Sequence, residues 1–119
     1  KTAALLQKVG TMDPTALPAR QVLEMATVNG AKALGINSGA LKEGYNADII
    51  MVDMRKPHLT PLYDVASQLV YAASGKDVRT TIVAGKILME DFKVICLDEQ
   101  DIIAKAVQTS KDLAARINS

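Results

Sequence analysis

The chain has 119 residues, of which 49% are hydrophobic and 23% are charged, and its formal net charge at pH 7 is +1. This length and balance predict one globular domain with a core. Because no block of Lys and Arg occurs, a nucleic-acid groove and an anionic membrane surface are excluded as partners. Three tyrosines and one phenylalanine are too few for a base-stacking platform.

The cysteine content and hydropathy favour a cytoplasmic protein. Cys96 is the single cysteine, so the chain cannot form an internal disulfide. No apolar run approaches the roughly 20 residues that a membrane span requires, and the N-terminus does not have the pattern of a signal peptide. The sequence therefore predicts a cytoplasmic setting without a membrane partner.

The first residues, KTAALLQKV, already have apolar side chains at helical spacing, without a clear cap before them. This opening is compatible with a trimmed terminus and equally with a piece of a longer polypeptide. The helix is expected to end near Gly10.

The strongest local helix signal covers residues 19–34, with Gly35 as its C-terminal turn. Its stripe consists mostly of small side chains, which predicts close packing against a neighbouring element. The stripe comprises Leu23, Ala26, Thr27, Gly30, Ala31 and Leu34.

Two more helices are predicted further along the chain. Residues 61–73 should form a helix with Thr60 as its cap and Pro61 at its first position, and Gly75 should stop it. A long helix over residues 98–117 should begin at the cap Asp98 and bury one apolar face. That face comprises Ile102, Ile103, Ala106, Val107, Ser110, Leu113, Ala114 and Ile117.

Three or four short strands are predicted. Residues 47–53 hold a continuous apolar run, which is typical of a strand covered on both faces. Residues 78–90 should form two strands joined by a tight turn at Gly85 and Lys86, and residues 93–97 should return as a short strand. So few strands make a stable sheet only when another element covers them.

The segment GALKEGYN places Gly39 and Gly44 at the spacing of a phosphate-binding loop. Tyr45 and Asn46, however, stand where Lys and Ser or Thr would hold phosphate and magnesium, and the segment precedes a strand instead of a helix. The two glycines are therefore interpreted as turn residues.

Candidate metal ligands are sparse. The only histidine, His58, lies in a predicted loop and is interpreted as a solvated surface residue. Asp48 and Asp53 bracket the predicted strand at an odd separation, which places them on opposite faces. They are interpreted as residues that end and anchor the strand.

Nucleophilic catalysis is not indicated either, because nothing in the sequence places His58 near Cys96 or a serine. Cys96 stands among Val, Ile and Leu residues and is interpreted as a buried structural thiol. Four methionines are interpreted as core residues. These are Met25, Met51, Met54 and Met89.

Four phrases and the closing amphipathic helix resemble the C-terminal part of the amidohydrolase superfamily. The phrases are ALLQKV, MATVNGAKALG, SGALKEGYNADIIMVD and PLYDVASQLVYAASGKDVRTTIVAGKILME. They look most like the branch that holds 5-methylthioadenosine/S-adenosylhomocysteine deaminases and chlorohydrolase-like enzymes.

The resemblance implies an α+β fragment of a larger enzyme. Residues 1–37 would be the terminal helices of a metal-dependent hydrolase (β/α)₈ barrel. Residues 38–119 would supply the C-terminal strands of a small composite β-sandwich, together with helices 61–73 and 98–117.

In such enzymes, a His-x-His pair, two further histidines and one aspartate hold zinc or iron, which activates water for deamination. This sequence matches none of those positions, so the resemblance places no catalytic, cofactor-binding or metal-binding residue on it. The chain alone is expected to be inactive. Its expected partners are the remainder of the parent chain and, in that parent, a small purine nucleoside-like substrate.

Two alternatives stay open. The parent could be a chlorohydrolase or a cyclic-amide hydrolase, or the chain could be a free-standing, non-catalytic interaction or oligomerisation module. If the chain is a fragment that lacks the N-terminal strands and the barrel, its exposed apolar faces and unpaired strand edges would favour a homo-oligomer.

Overall fold

The computed structural model describes residues 1–117, in which helices flank one antiparallel sheet. The helices are α1 (Thr2–Thr11), α2 (Ala19–Ala26), α3 (Val28–Leu34), α4 (Val65–Ser67) and α5 (Glu99–Ile117). The strands are β1 (Ile49–Val52), β2 (Val78–Val83), β3 (Lys86–Glu90) and β4 (Lys93–Val94). Short 3₁₀ helices occupy Pro57–Leu59 and Gly75–Asp77, and α4 continues as a π-helix over Gln68–Ala72. The predicted α+β character is thereby confirmed.

The four strands pair in sequence order, β1-β2-β3-β4, and every pair is antiparallel. The β2–β3 turn is centred on Ala84 and Gly85, with φ of 49° and 76°. It lies one residue earlier than predicted, because Lys86 already pairs with Val83 in the ladder. Two central residues with positive φ are typical of the turn that best matches strand twist.

The predicted helix over residues 19–34 is wrong in one respect, because it is divided at Thr27. The backbone there has φ −123° and ψ −93°. The Thr27 hydroxyl donates to the carbonyl of Leu23 at 2.8 Å, and the Thr27 carbonyl accepts from Ala31 N at 3.0 Å, which starts α3. Gly39 lies close to this carbonyl, so a Cβ atom at position 39 would be 2.5 Å from it.

The predicted helix over residues 61–73 begins later than expected. Thr60 is extended, as residues before proline usually are, and its hydroxyl donates to the carbonyl of Lys56 at 2.9 Å instead of capping a helix. Asp64 is the cap, since its carboxylate accepts from Ser67 N at 2.8 Å. The predicted Thr60 cap was therefore wrong.

The ends of the first and last helices also follow from local interactions. α1 passes Gly10 and ends at Thr11, where Met12 takes the left-handed conformation with φ 52°. Asp98 caps α5 as predicted, because its carboxylate accepts from Gln100 N and Asp101 N at 3.0 and 3.1 Å. Within residues 1–117, no helix combines the length and the apolar character that crossing a bilayer requires.

The core is small and joins α1 and α2 to the segment of α4 and the π-helix. Its buried members are Ala4, Ala19, Val22, Ala66 and Val70. Leu59, in the first 3₁₀ helix, is the one large side chain that is fully buried among the described residues. A core of mostly small side chains contributes limited hydrophobic stabilisation.

A large share of the surface is exposed for a chain of this mass. The accessible area is 9146 Å², whereas a compact monomer of this mass has about 6,200 Å². The radius of gyration is 19.2 Å, against about 13.5 Å for a compact domain of this length. The chain therefore leaves apolar faces uncovered.

These uncovered faces correct several predictions. Ile50 and Met51 of β1 are 58% and 52% exposed, so the strand is not covered on both faces. No described residue of α5 is buried, contrary to the predicted buried face. Met25 is exposed like Met51, which corrects their interpretation as core residues. Cys96 is exposed and not a buried thiol.

Replacement of Leu59 by alanine should lower the free energy of unfolding by about 2–5 kcal/mol, because it empties a fully buried site. The matched variant Leu41→Ala alters a side chain that is 81% exposed and should change stability by less than about 0.5 kcal/mol. Urea denaturation of both variants measures the difference. Equal losses would contradict the assignment of Leu59 to the core.

Candidate functional site

The turn between α3 and β1 depends on two glycines, as the sequence predicted. Gly39 and Gly44 have φ of 82° and 79°, a region that side chains other than glycine rarely adopt. At Gly39 a Cβ atom would lie 2.5 Å from the carbonyl oxygen of Thr27, whereas at Gly44 it would meet open space. The turn leads into β1 and opens no helix, so it lacks the geometry of a phosphate-binding loop.

Asp48 fastens this turn to the sheet. One carboxylate oxygen accepts from the backbone N–H of Ala84, in the β2–β3 turn, at 2.9 Å. The other accepts from the hydroxyl of Ser38 at 3.2 Å, and the adjacent Ala47 carbonyl accepts from Gly85 N at 3.1 Å. Asp48 therefore anchors the start of β1.

Asp53 has the corresponding position after β1. Its carboxylate accepts from the backbone N–H and the Nε of Arg55 at 3.0 and 3.2 Å, and these bonds lower the pKa of Asp53 below its ordinary value. Lys56 lies 3.8 Å from the same carboxylate and 4.7 Å from the ring centre of Phe92. The segment after β1 is thus held against the β3–β4 turn.

A buried carboxylate that the sequence did not single out lies next to the only histidine. Asp77 is 2% exposed, and its Oδ2 lies 3.0 Å from Nε2 of His58. The same oxygen accepts from Ser74 N at 2.8 Å and from the Ser74 hydroxyl at 3.1 Å. Because three donors surround it, the carboxylate is satisfied despite its burial.

The interpretation of His58 as a simply solvated residue is therefore corrected. Its side chain is 51% exposed, but its Nε2 is bound to the buried carboxylate of Asp77. The phrase SGKD, in which Ser74 precedes Asp77 by three residues, has the spacing of a capping box. That spacing was the signal from which Asp77 could have been found.

The order of the three side chains decides what they can do. In a nucleophilic triad, the imidazole lies between the hydroxyl and the carboxylate. Here the carboxylate of Asp77 lies between Ser74 and His58, so the imidazole is not placed to take a proton from Ser74. The group acts as a clamp between the segment after β1 and the start of β2, supported by the bond from Asp53 N to the Asp77 carbonyl at 2.8 Å.

The candidate metal ligands do not converge on one point. In the part of the chain that the structure describes, no group of three His, Cys, Asp or Glu side chains could hold a metal ion. Asp48 and Asp53 are each engaged in their own hydrogen bonds, and Cys96 lies exposed before α5. The structure does not bring the candidate ligands together.

An apolar groove of about 490 Å³ lies between α2 and the sheet. Leu23 and Thr27 form one side, and Ile50 and Val52 of β1 form the other. At this groove, α2 and the sheet face lie near each other without covering each other. It marks where a further element would complete the packing.

Comparison with known proteins assigns the class. The model of the amidohydrolase family matches residues 1–88, and the chain belongs to this family, whose members are hydrolases.

Among its relatives, 5′-deoxyadenosine deaminase from Methanococcoides burtonii is 66% identical over 119 residues, covering 100% of this chain and 27% of the relative. The 5-methylthioadenosine/S-adenosylhomocysteine deaminase from Syntrophomonas wolfei is 44% identical over 118 residues, covering 98% of this chain and 27% of the relative. The chain thus spans about 27% of the length of these curated relatives.

Solved structures agree with this assignment. A zinc-bound adenosine deaminase from Xanthomonas campestris superposes with a TM-score of 0.88 at 36% identity, covering 96% of this chain and 26% of that chain. The zinc complex of atrazine chlorohydrolase from Arthrobacter aurescens superposes with a TM-score of 0.76 at 26% identity, covering 90% of this chain and 25% of that chain.

Replacement of Gly39 by alanine should destabilise the protein far more than the same change at Gly44. Gly44→Ala incurs only the cost of a left-handed backbone, about 1–2 kcal/mol, whereas Gly39→Ala also forces a methyl group onto the backbone of Thr27. The two variants carry the same substitution at positions with similar φ, so the difference between their melting temperatures reports the contact with the Thr27 backbone alone. A similar loss at both positions would contradict it.

Replacement of Asp77 by asparagine should lower stability at neutral pH. The hydrogen bond from His58, followed by that from Ser74 N, lowers the pKa of Asp77 below its ordinary value. Its contribution to stability is therefore fully present above the unfolded-state pKa of about 3.9 and is lost as the pH falls through the folded-state pKa.

Urea denaturation from pH 7 to pH 2 measures this dependence. The stability difference between the wild type and Asp77→Asn should narrow below about pH 4. The control Asp112→Asn alters an exposed carboxylate of α5 and should change little. A difference for Asp77→Asn that stayed constant down to pH 2 would contradict the clamp.

Proposed function

We propose that the chain is the C-terminal portion of a deaminase that acts on adenosine-type nucleosides. The reaction is hydrolytic: water replaces the exocyclic amine of the purine, a C–N bond is broken, a C–O bond is formed and ammonia leaves. The observation that carries this proposal is 66% identity to a 5′-deoxyadenosine deaminase across all 119 residues.

The degree of identity favours 5′-deoxyadenosine over thioether nucleosides as the substrate. Relatives named 5′-deoxyadenosine deaminase from four methanogenic archaea are 62–66% identical over the entire chain. Two relatives named 5-methylthioadenosine/S-adenosylhomocysteine deaminase match 98% of the chain at 44% and 48% identity, and a third matches 76% of it at 59% identity. Both kinds of substrate share the adenine ring at which the amine is replaced.

Within this enzyme, residues 1–37 would be the last helices of the barrel and residues 38–119 would form part of a composite β-sandwich. The uncovered groove between α2 and β1 supports this division, because another segment of the same polypeptide would cover its apolar sides. The edge of β1 opposite β2 would accept a further strand. The hydrogen bonds of Asp48 and Asp77 would fix the geometry of the sheet face against which that further segment packs.

The residues described here do not fit the metal that the family uses. His58 is the single histidine of the chain, and its Nε2 is engaged with Asp77. Residues 1–117 are therefore not proposed to hold a catalytic metal. The ligands of zinc or iron, and the residues that touch the nucleoside, would belong to the remainder of the enzyme.

A second candidate is hydrolytic dechlorination. The structural likeness to atrazine chlorohydrolase, with a TM-score of 0.76 at 26% identity, favours it as the alternative. The same scaffold would then support attack of water at a ring carbon that bears chloride. Because the sequence identity is lower, this candidate is less favoured than the deaminase. Atrazine is therefore included as a substrate in the test of the proposed function.

The complete polypeptide that carries this segment should release ammonia from 5′-deoxyadenosine, with a higher kcat/KM than for 5′-methylthioadenosine. Chloride release from atrazine should be absent. A coupled ammonia assay and ion chromatography of chloride measure the two reactions.

The isolated 119-residue chain, supplied with zinc or iron, serves as the control and should release no ammonia. If the isolated chain released ammonia at an enzymatic rate, the proposal that the catalytic residues lie in the remainder of the polypeptide would be overturned. Absence of ammonia release by the complete, folded polypeptide from every adenosine derivative would overturn the proposed function.

A further inference from the structure

The hydrogen bond between His58 and Asp77 determines which nitrogen of the imidazole carries a proton. The bonds from His58 and from Ser74 N lower the pKa of Asp77 below its ordinary value, so its carboxylate is ionised at neutral pH and has no proton to donate. The Nε2 atom of His58 lies 3.0 Å from Oδ2 and must therefore donate. The neutral form of His58 is thus the tautomer that is protonated at Nε2.

The second ring nitrogen of His58, Nδ1, is then a hydrogen-bond acceptor with a lone pair. Among residues 1–117, no hydrogen bond or ion pair engages Nδ1, because the contact with Asp77 is made through Nε2. The side chain is 51% exposed, so half of the imidazole is accessible to a partner. A partner that binds Nδ1 must supply a proton to the bond, which requires an N–H or O–H group.

The position of the imidazole is fixed before any partner binds. The neighbouring side chain of Leu59 is fully buried. Gln68 Nε2 donates to the carbonyls of Leu59 and Pro61 at 3.3 and 3.0 Å, which holds the backbone on the far side of His58 from β1. Asp77 holds the ring itself. An acceptor that is ordered in advance loses little conformational entropy when a donor binds to it.

The connection between β1 and α4, which carries His58, also presents apolar side chains to the outside. Leu62, Tyr63 and Val65 are 49%, 91% and 51% exposed. Interfaces combine exposed aromatic and aliphatic side chains with a few oriented polar groups. The zinc-bound deaminase covers 96% of this chain, and this chain covers 26% of it. These features favour the remainder of the same polypeptide as the source of the donor.

We propose that Nδ1 of His58 accepts a hydrogen bond from an N–H or O–H group in the remainder of the polypeptide. His58 would then connect this segment to the rest of the enzyme, and Asp77 would be the positioning residue that fixes the tautomer and the ring. Carboxylates and backbone carbonyls are excluded as partners of Nδ1, because they have no proton to donate. The inference rests on the proposed function only in that the segment belongs to a longer enzyme.

NMR of the complete polypeptide with ¹⁵N-labelled histidine tests both the tautomer and the contact. The resonances of His58 are those that vanish in His58→Gln. At pH 8, where an unperturbed imidazole is neutral, they should show a protonated Nε2 and an unprotonated Nδ1 whose shift is displaced from that of a water-exposed ring nitrogen. A protonated Nδ1, or an undisplaced shift, would overturn the proposal. A displacement that disappears on dilution would identify a second copy as the donor and would also overturn it.

Substitutions at His58 separate the roles of the two nitrogens. His58→Gln retains an amide N–H with the reach of Nε2 towards Asp77 but has no acceptor at the position of Nδ1. It should lower the melting temperature of the complete polypeptide by about 2 °C. Lys76→Gln alters an exposed neighbour of Asp77 and should leave the melting temperature unchanged. If His58→Gln were as stable as the wild type, the imidazole would serve only Asp77, and the proposal would be wrong.

Deamination of 5′-deoxyadenosine by the same wild-type polypeptide keeps this inference separate from the proposed function. An active enzyme whose Nδ1 is protonated or bound only to water would overturn the inference and leave the proposed function intact. A displaced, unprotonated Nδ1 in a folded polypeptide that deaminates no adenosine derivative would support the inference and overturn the proposed function.

Discussion

The excess of apolar surface over available interior is the constraint on which the whole structure depends. The buried set consists mainly of alanine and valine side chains, while Ile50 and Met51 of β1 and Ile103 and Leu113 of α5 remain exposed. Burial of apolar area is the dominant favourable term in folding. A chain with this distribution gains stability when those faces are placed against another element.

Specific hydrogen bonds fix the geometry of these uncovered surfaces. Asp48 joins the Ser38 turn to the β2–β3 turn, and Asp77 joins the His58 segment to the start of β2. Each carboxylate receives donors from segments that are distant in sequence, so each one fixes a non-local contact without requiring a large core. The sheet face beside the groove is thereby presented in a defined geometry, which lowers the entropic cost of docking.

Local chemistry determined which elements could be predicted from the sequence. The glycine turns, the β2–β3 hairpin and the Asp98 cap depend on neighbouring residues, and they were predicted correctly or within one residue. The division at Thr27 occurs where Gly39, twelve positions away, lies against the backbone, and α4 starts late because Asp64, and not Thr60, caps it. Periodicity within a single helix contains no information about such contacts.

Burial was the least predictable property, for a related reason. The apolar runs in β1 and α5 correctly predicted which faces of these two elements are apolar. They could not report whether the covering element lies within the same 119 residues. The pairing of His58 with Asp77 was missed similarly, because nineteen positions separate them and only the spacing of Ser74 and Asp77 indicated a buried carboxylate.

Both uncovered regions belong to structure that this chain has in common with longer relatives. The groove between α2 and β1 lies within residues 1–88, which the amidohydrolase model matches. α5 lies beyond that region, but the solved neighbours cover 96% and 90% of the chain, which is more than residues 1–98 alone could supply, so the superposed structure includes part of α5. The uncovered apolar area is therefore not an addition specific to this chain, and its exposure follows from how much of the longer relatives the 119 residues span.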